Sequence, residues 1–207
     1  VSGPHLVDET AWSLGWISPA PGYMRRASHA VLAGGGLWLI DPVDEPGAVD
    51  RALALGPPAG VVQLLDRHGR DCAAIAARLG VPLHPVPDAA PPGAPFEVIP
   101  VVRSRVPRWR ECALWFPEHR ALVVADALGT AGYFRAPGEP VGPHPLLRIA
   151  RPPRTLSGRG PEHVLCGHGA GVHGPAAAAA VDDAIRHSRR RIPRWLLHLP
   201  RGRGGSP

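Results

Sequence analysis

The strongest constraint on this chain is that its apolar runs are short and each stops abruptly at a polar residue. Val61-Val-Gln-Leu-Leu65 passes into Asp66-Arg-His-Gly-Arg-Asp-Cys72, Ala121-Leu-Val-Val-Ala125 into Asp126, and Glu162-His-Val-Leu-Cys166 into Gly167-His-Gly169. Runs of this length bounded by loop signals read as buried strands. Loops at strand ends are where α/β proteins place their chemistry. Three such ends offering Asp, His and Cys predict one composite site suited to a metal.

The rest of the chain fits layered α/β order. Ala30-Val-Leu-Ala33, Gly34-Gly-Gly36 and Leu37-Trp-Leu-Ile-Asp41 read as a hairpin across a glycine turn, stopped by Pro42. Helical spacing follows over 45–55, closed by Gly56, and again over Cys72–Leu79, closed by Gly80. Val81–Val86 resumes an extended path, and strand–helix–strand–helix–strand order favours an α/β architecture. Phe96–Val102 and Ala113–Phe116 are further strands, the latter joined through Pro117-Glu-His-Arg120 to Ala121–Ala125 as a hairpin. Residues 132–160 are rich in proline and glycine, which implies a functional covering loop or partial disorder. Pro175–His187 is strong helix-forming sequence with proline at its start. The domain reading is an N-terminal segment of undetermined structure at 1–28, one folded domain at 29–187, and a basic, flexible tail at 188–207.

Composition narrows the function classes. No apolar run approaches the roughly 18 residues a membrane span needs. The first residues lack the basic head and apolar stretch of a signal peptide, which makes a cytoplasmic location the expectation. The three cysteines, Cys72, Cys112 and Cys166, are too few and too scattered for a disulfide framework or a C-x-x-C zinc pattern. Formal charge is +6, with Arg186, Arg189, Arg190, Arg191, Arg194, Arg201 and Arg203 crowded at the C-terminal end. Such a tail is open to nucleic acid or anionic lipid, but no recognised nucleic-acid motif accompanies it, and a solvated tail is the preferred reading.

Individual site residues carry competing readings. Asp71 opens the helix at Cys72 and is explained by capping alone. Cys72, at a helix N-terminus, is expected to have a depressed thiol pKa and to serve as ligand or nucleophile, unless it simply packs beneath the helix. His68 is a loop histidine between Arg67 and Gly69, a position more often exposed than ligating. Asp126, ending a buried strand, needs a cation or donors to offset its desolvation. His168 sits between two glycines that let backbone approach a centre closely, with His173 a minor alternative.

These segments resemble the metallo-β-lactamase superfamily. Leu-Ile-Asp41-Pro resembles its first-hairpin segment, and Asp71-Cys72 before a helix resembles the end of its H-x-H-x-D-H motif. Val123-Val-Ala-Asp-Ala-Leu128 resembles the strand ending in its metal-bridging aspartate, and Val164-Leu-Cys-Gly-His-Gly169 the segment supplying its last histidine. The order agrees from about 29 to 187. The resemblance implies a mixed α/β (α+β) fold in one domain, a four-layer αβ/βα sandwich with the site at one edge of two facing sheets.

The departures are equally informative. Aligned on Asp71, the first two motif histidines fall on Arg67 and Gly69, the last on Cys72, and the intermediate histidine near Arg108. The resemblance then leaves Asp71, Cys72, Asp126 and His168 as the second metal's set, while a shift of about one residue brings in His68 instead. One reading is a hydrolase with a single zinc or iron ion, in which Arg67 or Arg108 replaces the charge of the missing metal and holds an anionic ester, thioester, lactam or phosphoester. Another has no metal: Arg67, Arg70 or Arg108 neutralises Asp71 and Asp126 in a binding or structural protein. A third is nucleic-acid binding through the arginine-rich C-terminus.

Overall fold

The computed structural model describes residues 5–19, 24–68 and 70–198. Its first sheet holds six strands in sequence order: β1 (His5–Val7), β2 (Ser13–Ile17), β3 (Ala27–Ala33), β4 (Gly36–Ile40), β5 (Pro58–Gln63) and β6 (Leu83–Pro85). Pairing is antiparallel from β1 to β4, then parallel from β4 through β5 to β6. The two parallel steps are crossed by α1 (Ala48–Leu53) and α2 (Cys72–Leu79). Side chains alternate faces along a strand, and here that makes the layers. Leu37, Leu39 and Val61 pack with Val49 and Ala52 of α1 and Ile75 and Ala76 of α2. Trp38, Ile40 and Val62 pack on the opposite face against the second sheet. Both faces are covered, which is why these strands read as continuous apolar runs.

The second sheet has the order β13 (Val172–His173), β12 (His163–Cys166), β9 (Ala121–Val124), β8 (Arg108–Phe116) and β7 (Glu97–Arg105). Its outer cover is α4 (Ala177–Arg186), whose Ala177, Ala180, Val181, Ala184 and Ile185 recur at helical spacing on one buried face. The result is the helix–sheet–sheet–helix sandwich anticipated above. The hairpin across Gly34-Gly35 forms as β3–β4, both glycines at positive φ, and Gly80 ends α2 in the left-handed region. α1 is shorter than its pattern: Gly47 at φ 76 delays the start and Ala54, not Gly56, closes it.

Three sequence segments acquire definite structure. Of 1–28, the described parts supply β1, β2 and the start of β3, with Trp16 fully buried and its Nε1–H donating to Val43 O at 2.9 Å. Residues 132–160 form a cover rather than a loose loop. β11 (Gly142–Pro143) pairs with β10 (Leu128–Gly129), and α3 (Pro145–Ile149) follows. Arg148, fully buried, donates to Glu139 Oε2 (2.6 Å), Phe134 O (2.8 Å) and Ser188 O (3.1 Å). A buried charge persists only when paired and hydrogen-bonded, and this arginine gathers the cover through such partners. Within the expected tail, α5 (Ile192–His198) docks through Trp195, whose Nε1–H donates to Tyr133 O at 2.8 Å. Residues 199–207 of that tail lie outside the described residues. No described helix is long and apolar enough to cross a membrane.

At one edge the two sheets are joined by backbone. Cys112 N–H donates to Leu64 O (3.0 Å) and Asp66 N–H to Arg110 O (3.1 Å). Ala27 N–H donates to Gly167 O and Gly169 N–H to Arg25 O, both at 2.8 Å. The ends of β4, β5, β9 and β12 meet there, carrying Asp41, residues 64–68 with Arg70, Asp126 and His168.

Candidate metal centre

Asp126 follows Ala125 at the end of β9 and is buried, at 6% exposure. Its Oδ1 lies 3.1 Å from His68 Nε2 and 2.8 Å from His168 Nε2. The three ligand atoms lie within 4.8 Å of one another. The second nitrogen of each ring is anchored: His68 Nδ1 meets Asp41 Oδ2 at 2.7 Å, and His168 Nδ1 meets Met24 O at 2.8 Å. Phe134, from the cover, stacks on the His168 ring with centroids 5.2 Å apart and planes 23° from parallel. Asp41 itself is placed by Leu64 N–H, which donates to its Oδ1 at 3.0 Å.

These contacts leave a proton deficit. A neutral imidazole has one N–H and one lone pair, yet each ring faces oxygen acceptors at both nitrogens. The Met24 carbonyl can only accept, so His168 Nδ1 carries a proton and its Nε2 lone pair points at a carboxylate. His68 faces a carboxylate at each nitrogen, Asp41 and Asp126, so one neutral-ring proton cannot serve both contacts. Either both rings are imidazolium, or a cation occupies the space their Nε2 atoms share with Asp126. A second-nitrogen bond to a carboxylate or carbonyl is also how ligating histidines are oriented. The donor set therefore fits a metal ion.

Charge shifts follow the same geometry. Burial works to raise Asp126, but hydrogen bonds from His168 and His68 and their charges overcome it and hold the carboxyl well below its ordinary range. Burial and Arg70 lower His68, while Asp41 and Asp126 outweigh them and raise it. Glu111 on β8 is pushed up to about 8 by burial and then by the charge of Asp126. It accepts from Ala127 N–H (2.6 Å) and Trp109 Nε1–H (2.8 Å), fixing the residue after Asp126 and the adjacent indole. Arg67 lies over that indole, 4.3 Å from the ring centroid, and its NH2 reaches Asp126 Oδ2 at 3.4 Å. Arg70 donates to Asp41 O (2.9 Å), Gly167 O (3.1 Å) and Ala27 O, so its guanidinium ties backbone from both sheets together.

Of the residues singled out in the sequence, the structure brings His68, Asp126 and His168 together, with Arg67 beside them. Asp71 and Cys72 lie outside that group. Asp71 stands at the helix N-cap position, but its Oδ2 accepts from Asp44 N–H at 2.8 Å instead of capping α2. The expected depression of the Cys72 thiol is reversed: burial beneath α2, then the charge of Asp41, pushes it up to about 12. It packs with Ile75 and Leu39 in the outer core. Arg108 turns outward, its side chain 88% exposed, and faces Asp66 at 3.5 Å. Glu111 and Trp109 were not singled out in the sequence, Asp41 only as the end of the first-hairpin segment, and Arg70 only as a partner for Asp71 and Asp126, whereas its hydrogen bonds go to backbone carbonyls. Asp41 ends an apolar run as Asp126 does, so the same signal marked it, whereas Glu111 carries no local signal beyond a carboxylate inside a strand.

The chain has the metallo-β-lactamase fold. Among solved structures it is similar to the metallo-β-lactamase FIM-1 from Pseudomonas aeruginosa in its mono-zinc form, with a TM-score of 0.60 and 11% identity, covering 91% of this chain and 97% of that one. It is likewise similar to a metallo-β-lactamase from Hirschia baltica (0.59, 10%, covering 89% and 98%) and to the DIM-1 metallo-β-lactamase (0.58, 13%, covering 93% and 98%). No family model and no curated protein matches the sequence. At these identities the likeness is one of fold.

Proposed function

We propose that this protein is a hydrolase dependent on one metal ion, held by His68, Asp126 and His168. The observation that carries the reading is the proton deficit: two imidazoles turn Nε2 toward one carboxylate oxygen, at 3.1 and 2.8 Å, while their Nδ1 atoms face Asp41 and Met24 O. A fold neighbour with one zinc, FIM-1, supports a single-ion site as compatible with this architecture.

A bound zinc or iron ion would supply Lewis acidity toward water and the scissile group. The chain's own residues would do the rest. Asp41 and Met24 O hold the two imidazoles in the tautomer that leaves Nε2 unprotonated. Arg67, braced on Trp109, presents a guanidinium to negative charge on the substrate. Phe134 and the cover limit water around His168. In the net reaction water adds across an ester, thioester, lactam or phosphoester. The acyl or phosphoryl bond to the leaving group breaks, and the leaving group takes up the proton.

A second reading is favoured by one contact: Arg67 NH2 already meets Asp126 Oδ2 at 3.4 Å. In that reading guanidinium and imidazolium charge replaces the metal and the protein binds without catalysis. Elemental analysis of chelator-treated protein re-equilibrated with zinc or ferrous iron separates the two. About one ion per chain, with turnover of an ester, thioester, lactam or phosphodiester panel that chelation abolishes, is the expected result. No ion after re-equilibration would reject the hydrolase in favour of the metal-free protein.

A further inference from the structure

A groove of about 790 Å³ opens between the β7–β8 hairpin and the cover. Its walls include Val101, Val106, Trp109, Leu146, Leu147 and Ile149. Five large hydrophobic side chains are exposed among the described residues, and three of them, Val106, Leu146 and Ile149, line this one groove. Exposed apolar surface concentrated in a concavity marks a binding site more than scattered residues do. The volume falls in the range of small-molecule sites, about 300–1,000 Å³.

The charged part of the lining has one sign. Arg103, Arg151, Arg154 and Arg189 all contribute, and no carboxylate lines the groove. Arg103 is engaged by Asp88 and Arg189 by Ala150 O at 2.7 Å. The groove is thus apolar along its walls and cationic among its charged residues, with Ser104 and Thr155 as neutral polar groups, which is complementary to a molecule with an apolar chain and an anionic group. Trp109 connects it to the metal centre. The indole lines the groove, donates to Glu111, and carries Arg67 on its face, and Arg67 reaches Asp126.

We infer that this groove binds a small anionic amphiphile, a molecule with an alkyl or acyl chain and a carboxylate or phosphate group. Its apolar chain lies along Val106, Leu146 and Ile149, its anion meets the arginines, and its hydrolysable bond faces the centre past Trp109 and Arg67. The fate of the bound molecule rests on the hydrolase reading above; its binding does not. A single free molecule, rather than a bilayer, is the occupant that suits a concave site.

The test is titration calorimetry on the full chain, chelator-treated so that the phosphate cannot report on metal. The probes are hexyl, octyl and decyl phosphate below their micelle concentrations, against inorganic phosphate and octanol. Affinity is expected to rise by up to about fourfold per methylene, with inorganic phosphate and octanol both much weaker than octyl phosphate. Leu146→Asp and Ile149→Asp alter half-exposed side chains, so folding is expected to survive, as a melting curve will verify. Each is expected to weaken octyl phosphate by about tenfold or more. Binding that ignores chain length, that is unchanged in both variants, or that occurs only on anionic phosphatidylglycerol vesicles would overturn the inference. Amphiphile binding by a protein that takes up no metal would leave the groove standing and reject the hydrolase; one metal per chain without amphiphile binding would do the reverse.

Discussion

Two clusters in this molecule are built from the same residue types, an aspartate among histidines, and they obey different chemistry. One is the Asp126 centre. The other is a clasp in which Asp8, on the β1–β2 connection, accepts from Gly171 N–H (2.7 Å) and His173 Nε2–H (2.9 Å), so that the first sheet's edge is tied to the β12–β13 turn. His173 Nδ1 in turn accepts from His163 Nδ1–H at 2.9 Å. His29 Nε2–H donates to Cys166 O (2.9 Å), and its Nδ1 stands 3.8 Å from Asp8 Oδ2, beyond hydrogen-bond range. In the clasp each ring needs only the one proton a neutral imidazole has. At Asp126 each ring meets acceptors at both nitrogens, so each needs a second proton or a shared cation. Among the described residues only His68, Asp126 and His168 bring three ligand atoms within 4.8 Å. The residue types are shared; the convergence of three ligand atoms, with acceptors at both nitrogens of each ring, is what makes the first a candidate metal site.

The sharpest way to break this contrast is to delete each aspartate. Asp126→Ala is expected to weaken zinc binding by more than about 100-fold, exceeding the 10–100-fold typical of an outer-shell loss. Asp8→Ala should leave zinc stoichiometry at the wild-type value while lowering the melting temperature. Zinc loss in the Asp8 variant, measured by the same elemental analysis, would erase the distinction.

A step smaller is the outer shell. Asp41→Asn keeps a residue tolerant of the positive φ at this position but turns a donor toward His68. Zinc affinity should fall about 10–100-fold, read by competition with a chromophoric chelator. Unchanged affinity would mean that Asp41 does not set the His68 tautomer.

The smallest expected effect is a pH slope in the clasp. Burial, opposed by Asp8 and the Cys166 carbonyl, keeps the pKa of His29 below its ordinary 6.5. Below that value the unfolded chain binds a proton that the folded chain resists. Its contribution is therefore complete above pH 6.5 and is lost as pH falls through the folded value, at up to about 1.4 kcal/mol per pH unit. His29→Gln, which can still donate to the Cys166 carbonyl, should flatten the fall in denaturation midpoint between pH 6.5 and 5. An identical slope in wild type and variant would show that His29 is not held neutral.

Much of the fold was legible because strands and helices here are local patterns. The β3–β4 hairpin, α2 with Gly80, and the abrupt polar ends at Asp126 and His168 all appear in the sequence as period, punctuation and apolar run. The cover was not legible. Its order depends on Arg148 reaching Glu139, Phe134 O and Ser188 O, the last 40 residues away in sequence. Cys72 misled because a helix N-terminus lowers a thiol pKa only where the thiol keeps contact with water, and this one is buried near the charge of Asp41.

The sequence by itself determined the layered α/β order and which strand ends carry polar groups, since burial on two faces and loop punctuation are written residue by residue. Only the tertiary structure decided that His68, not Asp71 or Cys72, turns toward Asp126. That choice depends on how residues 64–68 leave β5, where Asp66 N–H and Leu64 O pair with β8 and Asp41 receives His68 Nδ1. A shift of one residue reverses which side chains face inward along such a path, and the contacts that fix it come from two other strands, which no local pattern records.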